Sequence, residues 1–179
     1  MSKGVSTWDH VSSELHADCK VYQVFKDRCR HPLSGKEGDF YLGKYSNWVQ
    51  VIALTEDGQM VMVRQYRFGS KSITLELPAG CMNDGESPEN AAIRELREET
   101  GYVGSRVNLI GSCEPNPALQ DNLNYFVLIE DCKKIEDTDW DEHEELETCL
   151  YSKEEVLKKA KSGEITHALT LSALFRWSF

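Results

Sequence analysis

The stretch GCMNDGESPENAAIRELREETGY, Gly80 to Tyr102, constrains this chain more than any other segment. Ser87 is a good helix N-cap, Pro88 suits the first helical position, and Gly101 can close the C-terminus in a left-handed conformation. The spacing therefore predicts a framed helix between them. At 100° per residue Ala92, Ile93, Leu96 and Thr100 share one side, which must rest on a core. Glu95, Glu98 and Glu99 crowd another side, where like charges three and four apart repel by about 0.2–0.5 kcal/mol a pair. A helix so well capped yet so self-repelling on one face presents that face to something cationic.

Strand patterns surround this helix. KVYQVFKD and DFYLGKY read as short strands separated by the loop RCRHPLSGKEG, enough for a small N-terminal hairpin or sheet. WVQVIALT and QMVMVRQYRF form the clearest hairpin, joined through EDG, where Asp57-Gly58 supplies the positive backbone angles of a tight turn. SITLELP is a further strand ending at Pro78, and RVNLIGSC, NLNYFVLIE and LETCLYS follow the helix. Two helices finish the chain: one opens on a Ser152–Glu155 capping box and stops at Gly163, and the other is HALTLSALFRW. Strands enclosing a capped helix, with helices at the end, predict an α+β fold, a mixed α/β/α sandwich with a small N-terminal β-hairpin or sheet. The expected division is 1–45 for the N-terminal strands and 46–179 for the main domain.

With 179 residues the chain can bury a substantial core without disulfide or metal staples. A net charge of -10 argues against a nucleic-acid partner bound through a broad basic surface, so an anionic ligand needs a metal or a local basic pocket. Six scattered cysteines, with no C-x-x-C pair and no signal peptide before them, are expected to be reduced, in the cytoplasm. No apolar run approaches the roughly 20 residues that cross a bilayer, so no membrane partner is expected.

Gly80, Glu86, Arg94, Glu95, Leu96, Glu98, Glu99, Gly101 and Tyr102 fill the pattern G-x5-E-x7-R-E-U-x-E-E-x-G-U, with U a bulky apolar residue. This resembles the signature of the Nudix hydrolases, with every position filled and only the aromatic Tyr102 unusual in the last slot. The spacing suits a hard-cation site, because Mg²⁺ wants oxygen ligands and Glu95 with Glu99 puts two carboxylates on one side of a helix. The resemblance implies a Mg²⁺-dependent enzyme, Mn²⁺ being a possible substitute, that hydrolyses a nucleoside diphosphate linked to another moiety. It adds the backbone carbonyl of Ala79 as a ligand beside Glu95, Glu98 and Glu99. Arg94 can pair with Glu98 or with Glu86 and hold the loop against the helix.

VRQYR and LELPAG, ahead of the signature, look like the branch acting on ADP-ribose and related nucleotide sugars. In that resemblance Arg67 reaches the diphosphate, a role suited to its fixed fork of donors. The branch tends to carry a proline some fifteen residues after the signature; Pro117, with Asn116, Gln120 and Asp121, stands there and would shape a substrate loop. It also carries a glutamate-bearing loop where DWDEHEEL stands, which implies Glu142 as general base and Glu144 as an extra metal ligand, with Glu145 the near alternative. A calcium loop over Asp137, Asp139 and Asp141 is rejected, since Glu142 takes the place of the required Gly and Thr148 that of the bidentate Glu. Trp48, and Tyr41 or Tyr45, are candidates for stacking on the base. In this branch the N-terminal strands pair with a second subunit, which implies a homodimer.

The expected reaction is hydrolysis of ADP-ribose, or another nucleoside diphosphate sugar, to a nucleoside monophosphate and a sugar phosphate. GDP-mannose or another nucleoside diphosphate hexose is the alternative substrate. A catalytically silent Nudix module that senses a nucleotide and acts on a partner is the alternative of another class.

Overall fold

The computed structural model describes residues 4–135, 137–138 and 145–178. The chain divides into two compact units, Met1–Ser46 with Glu114–Asn122, and Asn47–Cys113 with Leu123–Phe179.

The first unit is an antiparallel sheet in the order β1 (Asp9–Asp18), β2 (Gln23–Arg30), β3 (Glu37–Lys44). β2 and β3 are the strands the sequence predicts; β1 is not. Its segment DHVSSELHAD spaces Val11 and Leu15 four apart, so no alternation marks it, and the strand is almost wholly exposed. Cross-strand charge and hydrogen bonding join it to β2 instead, through Lys26–Glu14 at 3.1 Å and Ser13 Oγ donating to Asp27 at 2.5 Å. The segment 114–122 lies along the end of β3: the Gly43 amide donates to the Leu119 carbonyl at 2.7 Å, and Gln120 forms a parallel bridge with Gly43.

In the second unit the strands are β4 (Trp48–Thr55), β5 (Met60–Arg67), β6 (Ser72–Glu76), β7 (Ala79–Cys81), β8 (Tyr102–Val103), β9 (Arg106–Cys113), β10 (Asn124–Lys134) and β11 (Leu146–Tyr151). The helices are α1 (Pro88–Thr100), α2 (Lys153–Ser162) and α3 (Ala168–Ser178). The main path runs β11-β5-β4-β10-β8, with β4 and β10 parallel and β9 on the other side of β10. β4 and β5 pair only beside their turn, through Ala53–Val61 and Leu54–Met60, and then part. Beyond that point β5 pairs with β6 and β4 with β7, so the sheet opens at the ends of β4 and β5.

Strand alternation sorts the core into two layers. Val49, Val51 and Ala53 of β4 and Val127 and Ile129 of β10 pack with Ala91, Ala92 and Leu96 of α1. Ile52 and Phe126, with Met60 and Met62, pack with Val156 of α2 and Ala173 and Leu174 of α3. The arrangement is the predicted α/β/α sandwich. Full burial of a side chain such as Leu96 is worth about 1.5–3 kcal/mol.

The caps of α1 are as predicted: Ser87 Oγ accepts from the Asn90 amide, and Gly101, at φ 73°, donates its amide to the Arg97 carbonyl. The capping box of α2 is also formed. Two local expectations are corrected. The inward stripe of α1 runs through Ala91, Ala92, Leu96, Glu99 and Thr100, leaving Ile93 37% exposed, because the stripe is centred about one residue step away from Ile93. In the β4–β5 turn only Gly58 has positive φ, at 79°; its amide donates to the Thr55 carbonyl, so Asp57 needs no left-handed conformation.

Candidate active site

Arg94 gathers the outward carboxylates of α1. Its Nε and Nη2 grip Glu86 through two hydrogen bonds of 3.1 and 2.9 Å, while Nη1 lies 2.6 Å from Glu95 and 3.2 Å from Glu98. Nη2 also donates to the Cys81 carbonyl at 2.9 Å. Both pairings allowed by the sequence are therefore made, and Glu95 and β7 are added to them. Glu86 in turn accepts from the Asn83 amide at 2.9 Å, which fixes the loop before the helix. The Glu86 hydrogen bonds raise the Arg94 pKa further above its already high value, despite an opposing burial effect, and Arg94 holds the Glu86 carboxyl below the usual range.

β7 lies against the same helix. The buried Glu99 accepts from the Ala79 amide at 3.0 Å, tying helix to strand. At Gly80 a Cβ would fall onto the carboxylate of Glu95, so a side chain there would displace that group. Glycine is needed here for close approach, not for an unusual backbone angle.

Next to β7 is a cavity of about 300 Å³ lined by Trp48, Gln50, Arg67, Ala79, Gly80, Cys81, His167 and Leu169. A wider groove of about 1100 Å³ shares Arg67 and His167 with it and continues along β5 and β6. Between the two stands Glu76, at 0% exposure. Arg67 grips it with Nε and Nη2 at 2.9 and 2.7 Å, Thr74 Oγ1 donates to it at 2.5 Å, and His167 Nδ1 lies 3.0 Å away. Burial, the largest influence, pushes the Glu76 pKa up, but Arg67 and Thr74 outweigh it and the net displacement is downward. His167 is displaced downward by burial, with Glu76 opposing and Arg67 assisting. Thr170 continues the network, its hydroxyl accepting from the Leu77 amide at 3.2 Å and lying 3.4 Å from Gln50 Oε1.

The predicted residues thus fall into three groups. Arg94, Glu95 and Glu98 join through one guanidinium, and Glu99 meets Ala79. Trp48, Arg67 and Ala79 line one cavity. Pro117 and Gln120 belong to the other compact unit, in the segment beside β3. Glu142 and Glu144 lie outside the described residues. Tyr41 and Tyr45 are also in the first unit, Tyr41 edge-on to His16 and Tyr45 stacked on Tyr22 at 4.6 Å.

Sequence reading assigned nothing to Glu76, His167 or Thr170. The available signals were a charged residue between Leu75 and Leu77 in a short strand, and a His–Thr pair three apart at the start of the last helix. Neither identifies its partner, because the two lie far apart in sequence.

Among the described residues no group of three or more His, Cys, Asp or Glu side chains is already drawn together to hold a metal ion. The donor set nonetheless fits a hard divalent cation. It consists of carboxylate oxygens from one helix, and Gly80 leaves the room in which the Glu95 carboxylate lies. Glu98, at 43% side-chain exposure, has the freedom to turn toward such an ion, whereas Glu95 at 13% and the buried Glu99 are held by their partners.

A family model described as the NUDIX domain matches residues 45–171. Among curated proteins, the ADP-ribose pyrophosphatase of Bacillus subtilis is 32% identical over 92% of this chain and 89% of its own length. The methanol dehydrogenase activator of Bacillus methanolicus is 32% identical over 70% of this chain and 69% of its own. Among solved structures, the crystal structure of an ADP compounds hydrolase superposes with a TM-score of 0.86, covering 99% of this chain and 95% of that one at 21% identity. That likeness concerns the fold.

Proposed function

The chain belongs to the Nudix family and is a Nudix hydrolase, and we propose that it hydrolyses the diphosphate of ADP-ribose or a related ADP-sugar to AMP and a sugar phosphate. The observation that carries this reading is the position of Arg67 on a cavity whose wall, β7, also bears the carboxylate helix. The similarity to a B. subtilis ADP-ribose pyrophosphatase along nine-tenths of the chain supports the choice of substrate.

Glu95, Glu98 and Glu99, the Ala79 carbonyl and Glu144 would hold Mg²⁺, for which Mn²⁺ can substitute. The metal, when bound, neutralises diphosphate charge and polarises the phosphorus–oxygen bonds. Arg94 fixes the glutamates in place through its pairs with Glu86, Glu95 and Glu98. Arg67, oriented by Glu76, binds a diphosphate oxygen. Glu142 takes the proton of the attacking water, as the family resemblance implies. Trp48 offers an aromatic face to the nucleotide, and Pro117 and Gln120 shape a substrate loop.

The N-terminal strands, 1–45, are proposed to form a homodimer. Exposed Val11, Leu15 and Phe40 on that sheet, with Trp8 edge-on to Phe40, support this. A cytoplasmic location is supported by the six scattered cysteines, among which no disulfide is formed in the described residues. No described helix is long and apolar enough to cross a membrane.

The purified chain with Mg²⁺ is to be offered ADP-ribose, ADP-glucose, GDP-mannose, NADH, diadenosine polyphosphates and dNTPs, and phosphate measured after added phosphatase. The highest kcat/KM is expected for ADP-ribose. Preference for GDP-mannose would move the assignment to a nucleoside diphosphate hexose. Binding of ADP-ribose without hydrolysis in excess Mg²⁺ or Mn²⁺ would favour a sensing module, the reading that likeness to an activator protein raises.

A further inference from the structure

His167 lines both cavities, and it shares the smaller one with Ala79 and Gly80 of β7. Its Nδ1 faces the buried Glu76 at 3.0 Å and Thr170 Oγ1 at 3.0 Å. The Thr170 hydroxyl has its own partners in the Leu77 amide and Gln50 Oε1, which leaves Nδ1 to donate its proton to Glu76. That choice fixes the tautomer: Nε2 then carries a lone pair and no proton. Nε2 has no partner among the described residues, although the ring lines both cavities.

Arg67 shares the Glu76 carboxylate with His167 and is itself a wall of both cavities. The buried carboxylate therefore sets two unlike groups side by side, a cationic fork of donors and a neutral acceptor. Burial and the neighbouring guanidinium both disfavour the imidazolium, which keeps the acceptor form. An acceptor cannot bind a phosphate oxygen, which is an acceptor as well. It can bind a hydroxyl attached within a few bonds of the diphosphate that Arg67 holds.

We propose that His167 Nε2 accepts a hydrogen bond from a sugar hydroxyl next to the diphosphate, making it a specificity-determining residue for diphosphates esterified to a sugar. The assignment rests on the proposed diphosphate-sugar reading of this groove and adds to it the group that reads the sugar. The hydroxyl can belong to the nucleoside ribose or to the second sugar, and the chemistry is the same for both.

His167→Asn and His167→Gln separate this role from a structural one. The shorter Asn keeps a donor toward Glu76 but places no atom at Nε2, whereas Gln reaches as far as Nε2 and restores an acceptor. Each variant of the full chain is to be assayed with Mg²⁺ on ADP-ribose, on the ADP ester of tetrahydrofurfuryl alcohol, which lacks the hydroxyls of the second sugar, and on 2′,3′-dideoxyadenosine diphosphate ribose.

Asn at 167 is expected to raise KM for ADP-ribose about tenfold, the scale of one hydrogen bond, with kcat little changed, and Gln to recover most of that loss. The analogue on which wild type and the Asn variant perform equally identifies the sugar that His167 reads. Equal loss on all three esters, or no loss on ADP-ribose, overturns the proposal while leaving the hydrolase reading intact. A wild-type chain that cleaves none of the three overturns both.

Discussion

Arg94 and Glu95 are neighbours in sequence on α1, where consecutive side chains diverge by about 100°, yet Arg94 Nη1 lies 2.6 Å from Glu95 Oε1. Arg94 reaches across because Glu86 and the Cys81 carbonyl anchor the far side of its guanidinium. The plane of one side chain thereby sets the positions of three carboxylates.

Arg94→Lys removes that plane while keeping the charge. Lysine is a point charge and cannot hold Glu86 through two parallel bonds while also meeting Glu95 and Glu98. Activity is expected to fall about 10–100-fold, with Arg94→Ala no better, and the loss to appear chiefly as weaker activation by metal. Titrating Mg²⁺ at saturating substrate measures this.

Arg94 pairs with Glu86, Glu95 and Glu98 but carries a single positive charge, so the face it shares with Glu99 keeps an excess of negative charge. Added Mg²⁺ without substrate should therefore raise the unfolding temperature, by up to about 2.7 kcal/mol of stability at free metal about 100 times Kd. Glu95→Gln should remove most of that increment and lower turnover by at least about a hundredfold, with the apo protein still folded although its Glu95–Arg94 ion pair is lost. Wild-type turnover in this variant would remove Glu95 from the metal site.

Gly80→Ala places a methyl group where the Glu95 carboxylate lies. β7 can keep its pairing with β4, since Gly80 has no positive φ that alanine must avoid. The expected outcome is a folded protein, by circular dichroism and melting temperature, with metal activation weakened about 10–100-fold. A large loss of stability with unchanged metal response would mean that the helix moves instead of the carboxylate.

Glu76 and His167 both have folded pKa values displaced downward, so in each case the unfolded chain takes up its proton first and stability falls as pH falls. His167 contributes full stability above its ordinary value of 6.5, and loss begins as pH falls below that. Glu76 contributes above its ordinary value of 4.5 and loses its share as pH falls through the lower folded value. Urea midpoints measured from pH 8 to pH 3 should decline in two stages, and His167→Gln should flatten the upper one. A midpoint that rises on acidification from pH 7 to pH 5 contradicts this assignment.

The capped helix, the β4–β5 hairpin and the terminal helices were legible because each is written in adjacent residues. Ser87, Pro88 and Gly101 act on their own turn, and the alternation of WVQVIALT needs no distant partner. β1 was illegible because a strand exposed on nearly all of its surface needs no apolar alternation. The carboxylate cluster was readable for the same local reason, whereas the Glu76–Arg67–His167 network was not. Its members come from β5, β6 and the edge of α3, and a polar residue facing inward gains its meaning only from what it meets.

Leu77 and Thr170 bond across 93 residues of sequence, and their neighbours Glu76 and His167 meet across a similar span. A ribosome adding about 5–20 residues per second takes on the order of 5–20 s to pass from the first pair to the second. The carboxylate helix is synthesised within that interval, and the groove beside it waits for residues 167–170 to emerge. The residues that gather charge are thus synthesised well before His167, the residue proposed to read the sugar, so any selectivity it confers is the later of the two to arise on the growing chain.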